Sequence, residues 1–306
     1  MLGIEDPRLR ALFCASHITS RRLAEMGEDQ KVEKVTQGYL LAKHLRWAKE
    51  MGATAVPIAL AAAGARLEDV AYLCVCTTTG FLSPGLSAHL TEHLKLSCFV
   101  QRADIVGMGC HAGINGLRTA GQWAEANPGQ IALLVCVEVC SAGYMWDKED
   151  PQMSVALTNS LFGDGCAACV LRCPVDSSNM RLLKGNGALQ PSIYGYEAML
   201  LPGTLDALCY QFDDVRSKFS FVIQPAVPYL IGLEIPVMVH RLLERFKLKK
   251  SDISHWVIHS GGKKARCCIV RALGSVTAQY PGLSLPGYRL SWLLAAHLRN
   301  RDAPPG

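Results

Sequence analysis

The stretch Phe99–Ala126, FVQRADIVGMGCHAGINGLRTAGQWAEA, decides how this chain is to be read. It passes from an apolar segment ending at Ile105 and Val106, through a turn crowded with Gly107, Gly109 and Gly113, into a segment of helix length, with Cys110 at the bend. A strand that turns sharply into a helix holds its corner residue near the helix N-terminus, where unpaired N–H groups and the dipole favour a thiolate. Glycines suit such an elbow, because the turn needs backbone angles that side chains resist and a missing Cβ lets a substrate approach. Cys110 is therefore the candidate nucleophile. The competing reading makes it one more small apolar residue in a cysteine-rich interior.

Working outward, Tyr72–Thr77 (YLCVCT) and Ile131–Cys140 are apolar runs with the length of buried parallel strands, and Leu86 to about Leu94 is a helix between them. Alternating strand and helix at these lengths predicts a mainly parallel sheet covered on both faces. The loop between the first strand and that helix, Thr78-Thr79-Gly80-Phe81-Leu82-Ser83-Pro84-Gly85, lies where α/β proteins place ligands. Upstream, a largely helical, basic segment is expected over Arg8–Met26. A helix follows over Gln37–Glu50, then a shorter one over Pro57–Ala63 after a break at Gly52. Downstream, NSLFGDGCAACVLR (Asn159–Arg172) reads as a Gly-Asp-Gly turn entering a strand. Asn179–Asp214 is rich in turn residues, Val227–Phe246 is helical, and His255–His259 is a short strand ending in Ser260-Gly261-Gly262. The second half thus repeats an order of helix, strand and glycine turn, without a provable sequence repeat.

Composition narrows the function classes. The 306 residues are 50% hydrophobic and 19% charged, enough apolar material for one large or two modest domains and against disorder. The excess of 31 Lys and Arg over 26 Asp and Glu is spread along the chain, which suits an anionic small ligand and argues against nucleic acid. The acidic residues in the first six positions argue against a signal peptide, and no apolar run is long enough to cross a bilayer. Thirteen cysteines, many inside apolar segments, point to reduced thiols in the cytoplasm.

Two metal patterns are set aside. His89-Leu90-Thr91-Glu92-His93 matches H-x-x-E-H, yet a third ligand at fitting spacing is missing from the sequence. Cys166, Cys169 and Cys173 lie along a strand whose side chains alternate in direction, so they do not all converge on one ion. His259 carries more weight, because it ends a strand before two glycines, the setting that holds Cys110. An imidazole beside a thiol pairs with the thiolate and donates to a developing oxyanion.

TTTGFLSPG, VGMGCHAGING, NSLFGDG and HWVIHSGGKK, in this order across most of Ile4–Lys264, resemble the type III polyketide synthases, the chalcone synthase-like branch of the thiolase superfamily. Within it, GFLSPGLSAHL and HSGGKK most resemble the 3,5-dihydroxyphenylacetyl-CoA synthases of actinobacterial antibiotic pathways, which use malonyl-CoA alone. The resemblance implies an αβαβα-layered, thiolase-like α/β fold and a homodimer. It implies an N-terminal half over 1–173 with the nucleophile and a C-terminal half over 174–306 with the catalytic His259. It further implies that Cys110 is acylated by malonyl-CoA and that His259 stabilises thiolate and enolate. No metal and no cofactor is implied beyond coenzyme A thioesters as substrates, and neither a nucleic-acid nor a membrane partner.

By the same resemblance Phe162 and Phe221 are the aromatic gatekeepers, and Arg21 and Arg22 lie in the segment that contacts CoA phosphates. Gly261 and Gly262 lie beside the pantetheine arm, Thr79 in the substrate loop, and Ser83 where that loop reaches the partner's cavity.

Two departures are expected to weaken the protein. Met1 opens after the family's first strand, and from residue 265 the tail lacks the Tyr-Gly-Asn-x-Ser-Ser motif and the closing strands, with Asn300 the only asparagine there. A shifted reading frame would produce such a tail, and one uninterrupted, well-supported frame through this region of the gene would refute it. Two other readings stay open at this point: a 3-oxoacyl-ACP synthase III-like condensing enzyme, and a non-catalytic remnant that binds acyl-CoA.

Overall fold

The computed structural model describes residues 6–14, 18, 20–24, 35–143, 153–175, 191–215, 217–259, 261–274, 278–279 and 296–298. After a short helix α1 (Pro7–Cys14), the chain forms α2 (Gln37–Ala62), β1 (Val70–Thr77), α3 (Leu86–His93), β2 (Gln101–Val106), α4 (Ala112–Ala126) and β3 (Ile131–Glu138). Then come α5 (Met153–Leu161), β4 (Gly165–Arg172), the hairpin β5 (Leu208–Asp213) and β6 (Lys218–Ile223), α6 (Val227–Arg245), β7 (Ile253–Val257) and α7 (Lys263–Leu273). Two short strands, β8 (Ala278–Gln279) and β9 (Ala296–Leu298), flank β7, the first parallel and the second antiparallel to it.

The main sheet has the order β2-β1-β3-β4. Its two central strands are apolar on both faces, so each face must be covered, and the alternation of side chains sorts them into two cores. Leu73, Val75, Leu133, Val135 and Val137 meet Ala48, Val56 and Leu60 of α2 and Leu86 and Leu90 of α3. On the opposite face Tyr72, Cys74, Cys76, Ala132 and Leu134 meet Ala112, Ala120 and Ala124 of α4. Small residues let α4 lie close: a Cβ on Gly116 would stand 2.6 Å from the Cys76 sulfur. Each fully buried Leu or Val on these faces stabilises the fold by about 1.5–3 kcal/mol relative to exposure. A third core joins Ile235, Val239 and Leu243 of α6 to Ile253 and Trp256 of β7 and Ile269 and Leu273 of α7.

Several expectations are corrected. The helix expected over 8–26 ends at Cys14; residues 18 and 20–24 are non-helical, and 25 and 26 lie outside the described residues. No break occurs at Gly52, because α2 runs unbroken to Ala62 with Pro57 inside it. Gly52 serves packing instead, since a Cβ there would lie 2.8 Å from a Leu90 methyl, and burial against α3 outweighs the poor helix propensity of glycine and proline. The sheet is parallel only through β2, β1 and β3, whereas β4 runs antiparallel to β3. Gly165 pairs with Glu138, so β4 starts at the sheet end where β3 stops and needs no crossover back along a face. The strand expected to Cys140 ends at Glu138, and Cys140–Gly143 forms a tight 3-10 turn. The turn-rich stretch up to residue 214 contains β5; its residues 179–190 lie outside the described ones, as does Asn300.

Among the described residues no helix is long and apolar enough to cross a membrane, and no group of three His, Cys, Asp or Glu side chains is arranged to hold a metal ion.

Candidate active site

β2 hands the chain to α4 through Gly107 and Gly109, at φ +76° and +56°, and then the 3-10 turn Gly109–His111. Both angles lie in the left-handed region that glycine enters without strain, which is why the elbow can be so sharp. Cys110 sits inside this turn, half-buried, two residues before the first residue of α4. The elbow is tied to the β1 loop by the Gly109 N–H, which donates to the Thr78 hydroxyl at 3.1 Å.

The position agrees with the sequence reading, but the charge state does not. Burial first, and then the negative charge of Glu138, push the Cys110 thiol up to about 12, with only a backbone hydrogen bond acting the other way. The helix N-terminus is therefore outweighed, and the resting nucleophile is a thiol. Burial likewise pushes the His259 imidazole down to about 4, so it too is neutral at rest.

Sequence reasoning missed Glu138, the lone carboxylate of the strand IALLVCVE, and a charge closing such an apolar run was the available signal. The Thr78 and Thr79 amides donate to its carboxylate at 2.9–3.0 Å, and the Thr79 hydroxyl donates at 2.8 Å. Thr79, expected in the substrate loop, thus turns its hydroxyl toward this carboxylate and accepts from the Val139 amide at 2.9 Å. Its oxygen also lies 3.2 Å from Nδ1 of His44, a fully buried residue of α2 that burial holds down to about 4. Thr79 has one hydrogen and gives it to Glu138, so His44 carries its proton on Nδ1. Nε2 is then a bare lone pair, consistent with its having no hydrogen-bond partner among the described residues, and a Cβ on Gly80 would overlap this ring.

The β5–β6 hairpin closes the site from the other side. Leu208, first in β5, comes within 3.9 Å of where a Gly109 Cβ would stand. Tyr210, on the same face, pairs across the hairpin with Phe221. Phe162, just after α5, meets Phe221 edge to face with centroids 5.5 Å apart, so the two expected gatekeepers are in contact. The cluster continues through Tyr210, Phe219 and Phe81.

The glycine turn after β7 reaches the same region. A Cβ on Gly261 would lie 3.3 Å from the His259 ring, and Gly262, at φ +107°, approaches Leu161 at the end of α5. His259 thus lies beside the Gly261–Gly262 turn, whose Gly262 approaches the residue that precedes Phe162. Arg21 and Arg22 sit at the Gly-Asp-Gly turn instead of standing free. The Arg21 guanidinium donates to the Ser160 carbonyl, and the Arg22 carbonyl accepts from the Asp164 amide at 2.8 Å. Asp164 takes the Ala24 and Ser141 amides as well, pinning this segment to the turn. Ser83 is exposed on the β1 loop.

Residues 30–174 match the N-terminal domain of chalcone and stilbene synthases. The chain is 40% identical over 274 residues to the 3,5-dihydroxyphenylacetyl-CoA synthase of Streptomyces toyocaensis, spanning 89% of this chain and 68% of that one. With the enzyme of the same name from Amycolatopsis balhimycina it shares 39% over 277 residues, 90% of this chain and 71% of that one. Among solved structures, PKS-I from the brown alga Ectocarpus siliculosus superposes with a TM-score of 0.75 at 28% identity, covering 87% of this chain and 71% of that one. The 1,3,6,8-tetrahydroxynaphthalene synthase of Streptomyces coelicolor A3(2) shares the fold, with a TM-score of 0.73 at 24% identity over 87% of this chain and 72% of that one.

Proposed function

The chain belongs to the type III polyketide synthases, the chalcone and stilbene synthase family, and from that premise we propose that it condenses malonyl-CoA units to 3,5-dihydroxyphenylacetyl-CoA or a related resorcinol-type product. The observation that carries this reading is Cys110, held on a glycine elbow at the head of α4 beneath an aromatic hairpin, in a chain 40% identical to a synthase of that name.

The Cys110 sulfur gives its proton to His259 and attacks the thioester carbon of malonyl-CoA. The tetrahedral oxyanion collapses, the C–S bond to coenzyme A breaks, and the leaving thiolate takes the proton back from the imidazolium. Both partners are neutral at rest, so charge is created only as a pair, whose mutual attraction offsets the desolvation each would suffer alone. A second malonyl-CoA then loses carbon dioxide, leaving an enolate whose oxygen is stabilised by donors aimed at it. The enolate carbon attacks the Cys110 thioester, and the sulfur leaves as thiolate.

Phe162 and Phe221 form the gate between the coenzyme A tunnel and the chamber, Thr79 lines the substrate loop, and Gly261 and Gly262 flank the pantetheine arm. Arg21 and Arg22 lie beside the diphosphate, Arg22 being the more exposed of the two. The protein works as a cytoplasmic homodimer, Ser83 reaching toward the partner's chamber, with no metal and no cofactor besides its thioester substrates.

Incubation with radiolabelled malonyl-CoA tests the reading. Release of CoA with a resorcinol-type product, abolished in Cys110→Ala, is the expected result. Labelling of Cys110 by iodoacetamide without CoA release overturns it and leaves a protein that binds acyl-CoA without condensing it.

A further inference from the structure

We propose that His44 is a positioning residue of this site: acting from α2 through the Thr79 hydroxyl, it fixes the Glu138 carboxylate beside the Cys110 elbow and so governs how readily the nucleophile reacts. The inference deepens the function proposed above and rests on its choice of Cys110 as the acylated residue.

His44 stands where the helix expects an apolar side chain. It lies one turn after Leu40 and one turn before Ala48 on the buried stripe of α2, and it is itself fully buried. A leucine there would bury apolar surface at no polar cost, whereas an imidazole taken out of water loses free energy unless its nitrogens are used. The β1 loop is shaped around the ring as well, since a side chain at Gly80 would collide with three of its atoms.

The ring is used through one nitrogen. Nδ1 lies 3.2 Å from the Thr79 hydroxyl, while Nε2 has no hydrogen-bond partner among the described residues. The Thr79 oxygen also accepts from the Val139 amide at 2.9 Å and stands 2.8 Å from Oε2 of Glu138. With His44 and Val139 donating, both lone pairs of that oxygen are occupied and its single hydrogen points at the carboxylate. A proton on Nε2 instead would leave a buried donor unpaired and turn Nδ1 into an acceptor competing with Glu138 for the same hydrogen. His44 thus decides where the Thr79 hydrogen goes.

From Glu138 the connection runs on to the nucleophile. The carboxylate accepts from the Thr78 amide at 2.9 Å, and the Thr78 hydroxyl accepts from the Gly109 amide at 3.1 Å, one residue before Cys110. Burial lifts the Glu138 carboxyl above its ordinary range, and the Thr78 amide and Thr79 hydroxyl pull it back toward the anion whose field keeps Cys110 a thiol at rest. Without the His44 donor the Thr79 hydroxyl is free to turn away. The anion then loses a charge-assisted bond, and its hold on the thiol weakens.

The test is iodoacetamide modification of Cys110 at a fixed pH, followed by peptide mass spectrometry in His44→Leu, in His44→Asn and in His44→Leu combined with Glu138→Gln. His44→Leu is expected to speed modification about two- to threefold, the ceiling being set by complete loss of the Glu138 charge. His44→Asn, whose amide places an N–H where Nδ1 was, returns the rate to that of wild type. In the Glu138→Gln background His44→Leu adds nothing, because the group it acts through is already neutral. A speeding of the same size in that background overturns the assignment, since it would mean a merely loosened elbow. So does an unchanged rate in a His44→Leu variant that melts like wild type, or a His44→Asn variant that behaves as His44→Leu does. NMR of the ring nitrogens in the wild-type protein decides the point without any variant: His44 protonated on Nδ1 and bare on Nε2 is expected, and the reverse tautomer overturns the proposal. None of these measurements needs turnover, so a chain that behaves as described yet releases no CoA from malonyl-CoA fails the condensing reading while bearing out the role of His44.

Discussion

Replacing Glu138→Gln isolates the electrostatic control of the nucleophile. Oε2 of Glu138 takes the Thr78 and Thr79 amides at 3.0 Å and the Thr79 hydroxyl at 2.8 Å, so a glutamine oxygen at the same place keeps these bonds while the charge disappears. The thiol of Cys110 stands at about 12 against an ordinary 9.0, and burial, which the substitution leaves alone, is the larger cause. Glu138 is the smaller of the two causes, and a share of about one pH unit sets the scale of the expected change. The sign is definite: removing a negative neighbour favours the thiolate, lowers the thiol pKa and raises the thiolate fraction about tenfold at any pH below it. A less basic thiolate is also a weaker nucleophile, with a Brønsted slope of about 0.4–0.5, so the alkylation rate rises only about threefold. The assay is iodoacetamide modification between about pH 7 and 9, quantified on the Cys110 peptide so that the other cysteines do not contribute, with thermal melting as a check on folding. An unchanged or slower rate in a variant that melts like wild type would refute the electrostatic account.

Acid sensitivity and packing supply further tests. His44 and His259 are held down to about 4 from 6.5 by burial, so the folded chain refuses protons that the unfolded chain takes up. Their contribution to stability is present above about pH 6.5 and is lost as pH falls toward 4. At pH 5 each costs about 2 kcal/mol. Urea denaturation is expected to show a lower midpoint at pH 5 than at pH 7, and His44→Leu to remove about half of the difference; equal midpoints at the two pH values would sink this. Gly116→Ala places a Cβ 2.6 Å from the Cys76 sulfur and from a Leu134 methyl. Overpacking there costs about 1–3 kcal/mol and exceeds the helix-propensity gain of about 1 kcal/mol, so the melting temperature falls. Adding Cys76→Ala relieves the clash, and a single Gly116→Ala variant more stable than wild type would contradict the packing described.

What could be read in advance follows from the range of the physics involved. The elbow of Phe99–Ala126 was legible because its signals are local: an apolar strand, glycines able to take positive φ, and a small-residue helix all lie within one short segment. The strands β1 and β3 were legible because burial on both faces leaves uninterrupted apolar runs. The continuity of α2 across Gly52 and Pro57 was not, since what holds that helix together is Leu90, a residue of another element. Nor was the direction of β4, because a Gly-Asp-Gly turn looks the same whether the next strand runs with or against its neighbour.

The candidate site divides along the same line. Sequence alone pointed to the sulfur at the bend and to an imidazole just before two glycines, since each is marked by residues next to it in the chain, although the strand expected to end at His259 stops at Val257; the two phenylalanines expected as a gate came from the family resemblance. Only the tertiary structure decided that the sulfur rests protonated beside Glu138 and that His44 and Thr79 orient that carboxylate's surroundings. Desolvation and Coulomb interactions depend on distance through space, and the groups that exert them here come from α2, the β1 loop and β3, separated by tens of residues along the chain.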